Sequence, residues 1–495
     1  MLCGKNIVSV HSLDKPYPVY CSPCWWGDNW DPFSAGRSYD SSRRFFEQYR
    51  AVFNAVPQLA MENDNGVGSE NSEYCQDISR CKDCYLLTGS WHCRNVYYST
   101  NCNHSRDLVD CDSTNLECEL AYECSDSQHL YNSVFLRYSA NCSGCSFGID
   151  LKSCADCFCC VGLRQKQYCV FNEQYSASEY KEKIKAFDLR SYKTLKETQF
   201  SFEQFALKYP RRAVQQVNCE DCFGDNLFNC RDVFGFDTFN AEHCRYFYKG
   251  DSPVHCYDVH QSGNPQRCYD SVTPDDSYMA CFTTWCWKGN RSIYYCDNCH
   301  SSKHLFGCVG LKRHEYCILN RQYSKDDYEA LVPKIIEDMK QTGDWGEFFP
   351  EALSPFGYNE TVAHEWFPLA KEQAAAKGLP WREIDPKEYM PATAVLSDLL
   401  QETPESIVKE ILSCAECRRN YKIIRKELEF YQRMELALPR LCPSCRRQKR
   451  WALRNPYMLW RRTCAKCGTA VHTVYSEKRP ERVYCEKCYL GEVYL

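Results

Sequence analysis

The last 82 residues of this chain carry eight cysteines in four CxxC pairs: Cys414/Cys417, Cys442/Cys445, Cys464/Cys467 and Cys485/Cys488. A CxxC turn offers two thiolates from one tight loop, and a second pair completes a tetrahedral shell. Two complete sets in succession predict two structural zinc ribbons or treble-clef fingers, spanning 414–450 and 451–495. A disulfide framework is the competing reading. The chain has 495 residues and begins MLCGKNIVSVHS, without an apolar leader, whereas disulfide-dense scaffolds are small and secreted. The expectation is a reducing, cytoplasmic setting, bound zinc, and no membrane partner, since no apolar run is long enough to span a bilayer.

Two internal duplications organise the rest. Residues 3–25 match 467–489 at nine of 23 positions, including Pro16/Pro480, Val19/Val483 and Tyr20/Tyr484. The N-terminal region, 1–60, is therefore a third finger with Cys3, Cys21 and Cys24, and the expected zinc content is about two to three ions per chain at four ligands per structural site. His11 is a possible fourth ligand, although it aligns with Tyr475. The tryptophans of CWWGDNW are expected to cover the small metal core.

Residues 158–176 match 306–324 at 11 of 19 positions. Each copy is followed by a helical pattern, Ala177 to Phe187 and Lys325 to Lys340, and preceded by a cysteine-dotted region. In those regions an aromatic or apolar residue recurs about every 12 positions: Tyr74, Tyr85, Tyr97, Val109, Ala121 and Val134 in the first, Phe223, Phe234, Phe247, Tyr257 and Tyr269 in the second. Short β-like runs separated by polar turns at fixed spacing describe stacked coils. The fold class is mainly β with α segments: tandem β-solenoid blocks at 70–187 and 217–340, flanked by the fingers. The recurring residues are expected to point inward. A helical linker covers 188–216, with a helix near Ser201 to Lys208, and 341–413 is connective.

CxxC pairs also occur inside the coils, as in Cys142/Cys145 and Cys154/Cys157. The duplication weighs on their role. Cys154 aligns with Ser302, Cys157 with Leu305 and Cys159 with Gly307, while Cys160 and Cys169 align with Cys308 and Cys317. A metal shell does not shed ligands between copies, but a packing position accepts Ser, Gly or Leu. Most coil cysteines therefore read as reduced core fillers, with additional zinc sites as the competing reading. Cys244, Cys256, Cys268 and Cys281 suggest one internal ladder.

Charge is unevenly spread. Residues 414–495 hold 19 Lys and Arg against 8 Asp and Glu, while the rest of the chain holds 41 against 57. Arg446, Arg447, Lys449, Arg450, Arg454, Arg461 and Arg462 cluster there with Trp451, Tyr457 and Trp460. Guanidinium groups pair with phosphates and aromatic rings stack on bases, so RNA, single-stranded DNA or a ribonucleoprotein is the expected partner. The alternatives are a protein-docking ribbon, or a basic face whose aromatics merely pack the finger. No phosphate loop, dinucleotide fingerprint or nucleophile elbow occurs. The reading is a non-enzymatic scaffold; the alternative is a solenoid enzyme acting on a carbohydrate or nucleic acid polymer.

The segments CVGLRQKQYCVFNEQYS, SPFGYNETVAHEWFP and LCPSCRRQKRWALRNP resemble those of uncharacterised cysteine-rich zinc-ribbon proteins of ultra-small, candidate-phyla bacteria. The resemblance spans nearly the whole chain. It implies zinc ribbons, a bacterial cytosolic setting and a full CxxC pair in the N-terminal finger, where this sequence has only Cys3. Some members carry an acyl-CoA transferase label that nothing in these residues supports.

Overall fold

A computed structural model of the chain describes residues 2–63, 68–72, 74–245, 269–272, 277–383 and 388–494. It is a mainly β protein built on parallel coil stacks, and it divides into two compact units. One contains Met1–Glu62 and Val214–Ile384; the other contains Asn63–Ala213 and Asp385–Leu495. Each unit holds one coil stack and at least one finger. The N-terminal finger belongs with the second stack, and the C-terminal fingers with the first.

The first stack advances mostly by 12 residues per coil: Arg94 pairs with Arg106, Val96 with Leu108 and Tyr97 with Val109, all parallel, while the next step is 13, Arg106 beside Glu119. The second begins with an 11-residue step, Gln216 beside Leu227, and settles to 12 by Arg291 beside Lys303. Within a coil the period is three. Asp77, Arg80, Asp83 and Leu86 all have φ near +50°, and so do His92, Asn95, Tyr98, Asn101, His104 and Asp107. A left-handed residue at every third position makes four corners per coil. Asn and Asp tolerate that conformation best, which accounts for their abundance between the β-like runs.

Three-residue sides turn every third side chain inward instead of every second. The interior of the first stack is accordingly lined by Cys81, Cys84, Leu87, Cys93, Val96, Cys102, Leu108 and Cys111, with no aromatic ring among them. The tube is too narrow for one. It is also rich in inward backbone carbonyls, and thiols serve those. The Sγ of Cys142 donates to the carbonyls of Ala140 and Leu151 at 3.3 and 3.5 Å, and that of Cys308 to Phe306 and Cys317 at 3.5 and 3.4 Å. Serine does the same work more strongly: Ser139 Oγ donates to Arg137 O at 3.0 Å and accepts from Leu151 N at 3.2 Å. Cysteine here is a small, apolar, weakly donating filler.

The recurring aromatics lie elsewhere. Tyr97, Val109, Tyr122, Val134, Phe147 and Phe158 sit one or two places past the inward residue and form an outer ladder. That ladder is buried under Leu195 and Phe202 of the helix Tyr192–Ala206 and Leu428 and Tyr431 of the helix Arg425–Arg433. Phe135 and Phe147 stack at 4.6 Å with planes 5° apart, a geometry worth about 0.5–1.5 kcal/mol beyond burial. The expectation that the 12-residue recurrence marks the interior is thus corrected for Tyr97, Val109 and Val134, which mark the face the helices cover; Ala121 does point inward. Cys281 likewise packs outside, with Phe45 and Phe306, while Ala280 points in. Cys256, Cys268, Phe247 and Tyr257 lie outside the described residues.

Both stacks end identically. Asn172 bridges the backbone N–H and C=O of Val161 at 2.8 and 2.8 Å, and Asn320 those of Val309 at 2.7 and 2.7 Å. A short antiparallel return follows, then a helix capped by Ser176 or Ser324: Ala177–Ile184 in one unit, Lys325–Thr342 in the other. Among the described residues no helix is long and apolar enough to cross a membrane.

Candidate metal centres

Three groups of thiols converge: Cys414, Cys417, Cys442 and Cys445; Cys464, Cys467, Cys485 and Cys488; and Cys3, Cys21 and Cys24. The same backbone positions the thiols in all three. The residue after the first knuckle is left-handed: Arg418 at φ 63°, Gly468 at 75° and Gly4 at 67°. That turn lets Arg418 N reach Cys414 O at 3.1 Å and Gly468 N reach Cys464 O at 2.9 Å. The second knuckle starts a helix, with Cys21, Cys442 and Cys485 as the capping residues of Ser22–Trp26, Pro443–Leu453 and Glu486–Val493.

The spacing fits a tetrahedral thiolate ion. A metal–sulfur bond of about 2.3 Å requires sulfurs about 3.8 Å apart. Cys417 and Cys442 sulfurs are 3.6 Å apart, Cys467 and Cys485 3.8 Å, and Cys3 and Cys21 3.8 Å. Burial raises the Cys414 thiol, but the amides of Cys417, Cys442 and Glu416 outweigh it and hold it near 6. Cys464 is held near 6 by Cys485, Cys467 and Lys466 in the same way. Thiolates are the ligating form. By this spacing both tetrads and the triad can hold a metal ion of zinc's size. His11 is not placed to join the triad: its Nδ1 meets Tyr17 OH at 3.0 Å and its ring stacks on Phe356 at 5.5 Å. Burial lowers it to about 4, so it is a neutral packing residue. Among the described residues no coil cysteines form such a group.

The basic helix Pro443–Leu453 faces inward. Arg446 and Arg450, and Arg454 just beyond the helix, are spaced by four and so share one face. That face lies on the first coil stack. Arg446 Nε is 2.8 Å from Asp110 Oδ2, and its Nη2 is 3.1 Å from Glu427 Oε1. Arg450 reaches Asp110 at 2.8 Å and Asp112 at 2.7 Å, and Arg454 grips Asp126 at 2.6 and 3.0 Å. All three arginines are buried. Burial lowers Arg446, but Asp110, Tyr431 and Glu427 more than restore it, while burial pushes the Glu427 carboxyl up. These three arginines, read from sequence as phosphate contacts, are already paired inside the chain. Nothing in the local sequence distinguished them; their aspartate partners lie more than 300 residues away.

The other residues of that cluster are placed differently. Arg447 lies half-buried over Trp451 at 4.7 Å, with Arg454 at 5.4 Å from the same ring. Lys449 is exposed and paired with Glu416 at 2.9 Å. Trp460 and Arg461 lie on the strand Trp460–Thr463, paired with Ala470–Thr473; Arg461 is exposed, and Arg462 bonds the carbonyls of Ser476 and Glu481 at 3.3 and 3.3 Å.

No protein family profile matches the chain, and no curated protein does. A solved structure described as a candidate acetyltransferase from Desulfovibrio desulfuricans G20 aligns over 59% of this chain and 80% of its own. Its identity is 9% and its TM-score 0.12, a likeness too slight to carry an argument.

Proposed function

We propose that this protein is a zinc-clipped, non-enzymatic scaffold whose C-terminal fingers dock on a polyanion, either single-stranded nucleic acid or a ribonucleoprotein. The observation that supports it is how the basic excess of residues 414–495 divides. Arg446, Arg450 and Arg454 are neutralised internally. Arg418, Arg419, Arg461, Lys478 and Lys487 are exposed, and among the described residues none of them enters an ion pair. Four of these flank or lie on the knuckles and the hairpin that the metal would rigidify. A rigid array of cations loses little entropy on meeting phosphates.

The test is fluorescence anisotropy of the metal-loaded full chain with a labelled single-stranded RNA, titrated across salt. The expected result is binding whose logarithm falls linearly with the logarithm of salt. Replacing Arg418, Arg419, Arg461, Lys478 and Lys487 by Ala should flatten that slope while the fold stays intact. Absence of binding at low salt by metal-loaded protein would overturn the polyanion reading.

A further inference from the structure

The two units are copies of one assembly, hydrogen bond for hydrogen bond. In the N-terminal finger Gln58 N donates to Pro18 O at 2.8 Å, Ala60 N to Tyr20 O at 2.9 Å and Val10 N to Ala60 O at 2.9 Å. In the C-terminal finger Arg211 N donates to Arg482 O at 2.8 Å, Ala213 N to Tyr484 O at 3.0 Å and Val474 N to Ala213 O at 3.4 Å. Val10 aligns with Val474, Pro18 with Arg482 and Tyr20 with Tyr484. The strand each finger pairs with also repeats, as Pro57-Gln58-Leu59-Ala60 and Pro210-Arg211-Arg212-Ala213. So does the helix before it, through Phe46-Glu47-Gln48-Tyr49 and Phe202-Glu203-Gln204-Phe205.

Each finger then meets its own coil stack at one equivalent point. Trp25 aligns with Tyr489, and each lies on the short helix that begins at a metal-group cysteine, Cys21 or Cys485. Both are buried. Gly310 aligns with Gly162, and both are left-handed, at φ 70° and 69°. A Cβ on Gly310 would stand 3.1 Å from Trp30 and 3.9 Å from Trp25; one on Gly162 would stand 3.2 Å from Val493 and 3.6 Å from Tyr489 OH. Lys312 aligns with Arg164. Lys312 Nζ donates to Trp25 O at 2.5 Å and lies 4.3 Å over its ring. Arg164 holds Asp150 at 2.6 Å, the carboxylate that accepts from Tyr489 OH at 2.5 Å.

Helices of five and eight residues do not persist alone in water. The thiolate site fixes the first turn of each, and binding free energy in such small modules is folding free energy. We propose that each terminal finger is a metal-set latch: loading Cys3/Cys21/Cys24 or Cys464/Cys467/Cys485/Cys488 orders the helix that carries Trp25 or Tyr489 onto its coil stack, and metal loss releases that contact while the stack stays folded. This rests on the metal reading of the fingers. The release uncovers Gly310 and Lys312, or Gly162 and Arg164, and leaves the thiol-lined interior intact.

The test is hydrogen exchange by mass spectrometry on the full chain, before and after a zinc chelator, with metal content measured in parallel. The expected result is at least about tenfold faster exchange at 147–165 and 295–313, with little change at 93–124. Tyr489→Ala should speed 147–165 alone, and Trp25→Ala 295–313 alone, with metal retained. Confirmed metal loss without change at these platforms would overturn the latch and spare the metal reading. Uniform loss of protection through the stack would overturn the latch too, because metal would then hold up the whole unit. Purified protein without metal would overturn both.

Discussion

The two units share one assembly, and their differences separate what the fold requires from what it tolerates. Both keep the left-handed residue after the first knuckle, the cysteine that starts the latch helix, the closing asparagine and the capping serine. What varies is the coil interior and its cover. Cys154 in one unit is Ser302 in the other, and one hydrogen bond is kept: Cys154 Sγ to Lys152 O at 3.4 Å, Ser302 Oγ to His300 O at 2.9 Å. Lys152 in one is His300 in the other. One spacing, CxxC, thus serves two purposes. In the fingers it gathers thiols to within a metal's reach; in the coils it falls out of a three-residue period. Only the first unit of coils also receives the arginine helix.

The largest expected difference between the units lies in that helix. Arg450→Ala would leave Asp112 buried without its counter-charge and Asp110 with Arg446 alone. Breaking a buried pair on one side costs about 3–5 kcal/mol, so the unit containing residues 63–213 should melt well below its twin in differential scanning calorimetry. A loss under about 1 kcal/mol would mean the pair is solvated in solution.

Acid should act the other way round. His300 is buried, accepts from Trp287 N at 3.3 Å, and is lowered by burial, Lys288 and Lys312 to about 3. It folds neutral, and the unfolded chain binds its proton near pH 6.5. Stability contributed by His300 is therefore complete above that pH and is lost as pH falls toward 3, by about 2 kcal/mol at pH 5. The unit of residues 1–62 and 214–384 should lose stability over this range, and His300→Lys, copying the twin, should change the slope. A wild-type unit with stability flat between pH 7 and 5 would contradict the assignment.

The smallest effect tests the filler account. Cys154→Ser copies Ser302 and should leave stability within about 1 kcal/mol and metal content unchanged. Loss of one metal equivalent would make the coil thiols ligands after all.

Much of this was legible in the sequence, for identifiable reasons. Ligand spacing within a finger is local, so the tetrads could be read directly. The 12-residue recurrence was visible because coils repeat in register. Its orientation was not, because a left-handed corner at every third residue replaces the alternation of an ordinary strand, and the aromatics advertise the outer face. The helix Tyr192–Ala206 begins well before the expected Ser201, since its Ser191 cap precedes a stretch with little apolar pattern. Which finger belongs to which stack, and where Arg446, Arg450 and Arg454 point, are non-local facts. The FEQ helix repeat was missed because it is short and its spacing to the following Pro differs between the copies.

The central claim is that converging finger cysteines hold metal and coil cysteines do not. Metal analysis of the full chain purified in reducing buffer addresses it most directly. The account predicts zinc at about two to three ions per chain, two from the tetrads and the remainder from Cys3, Cys21 and Cys24. A value near zero would contradict the finger assignment, and a value above about five would show that the coil thiols bind metal as well.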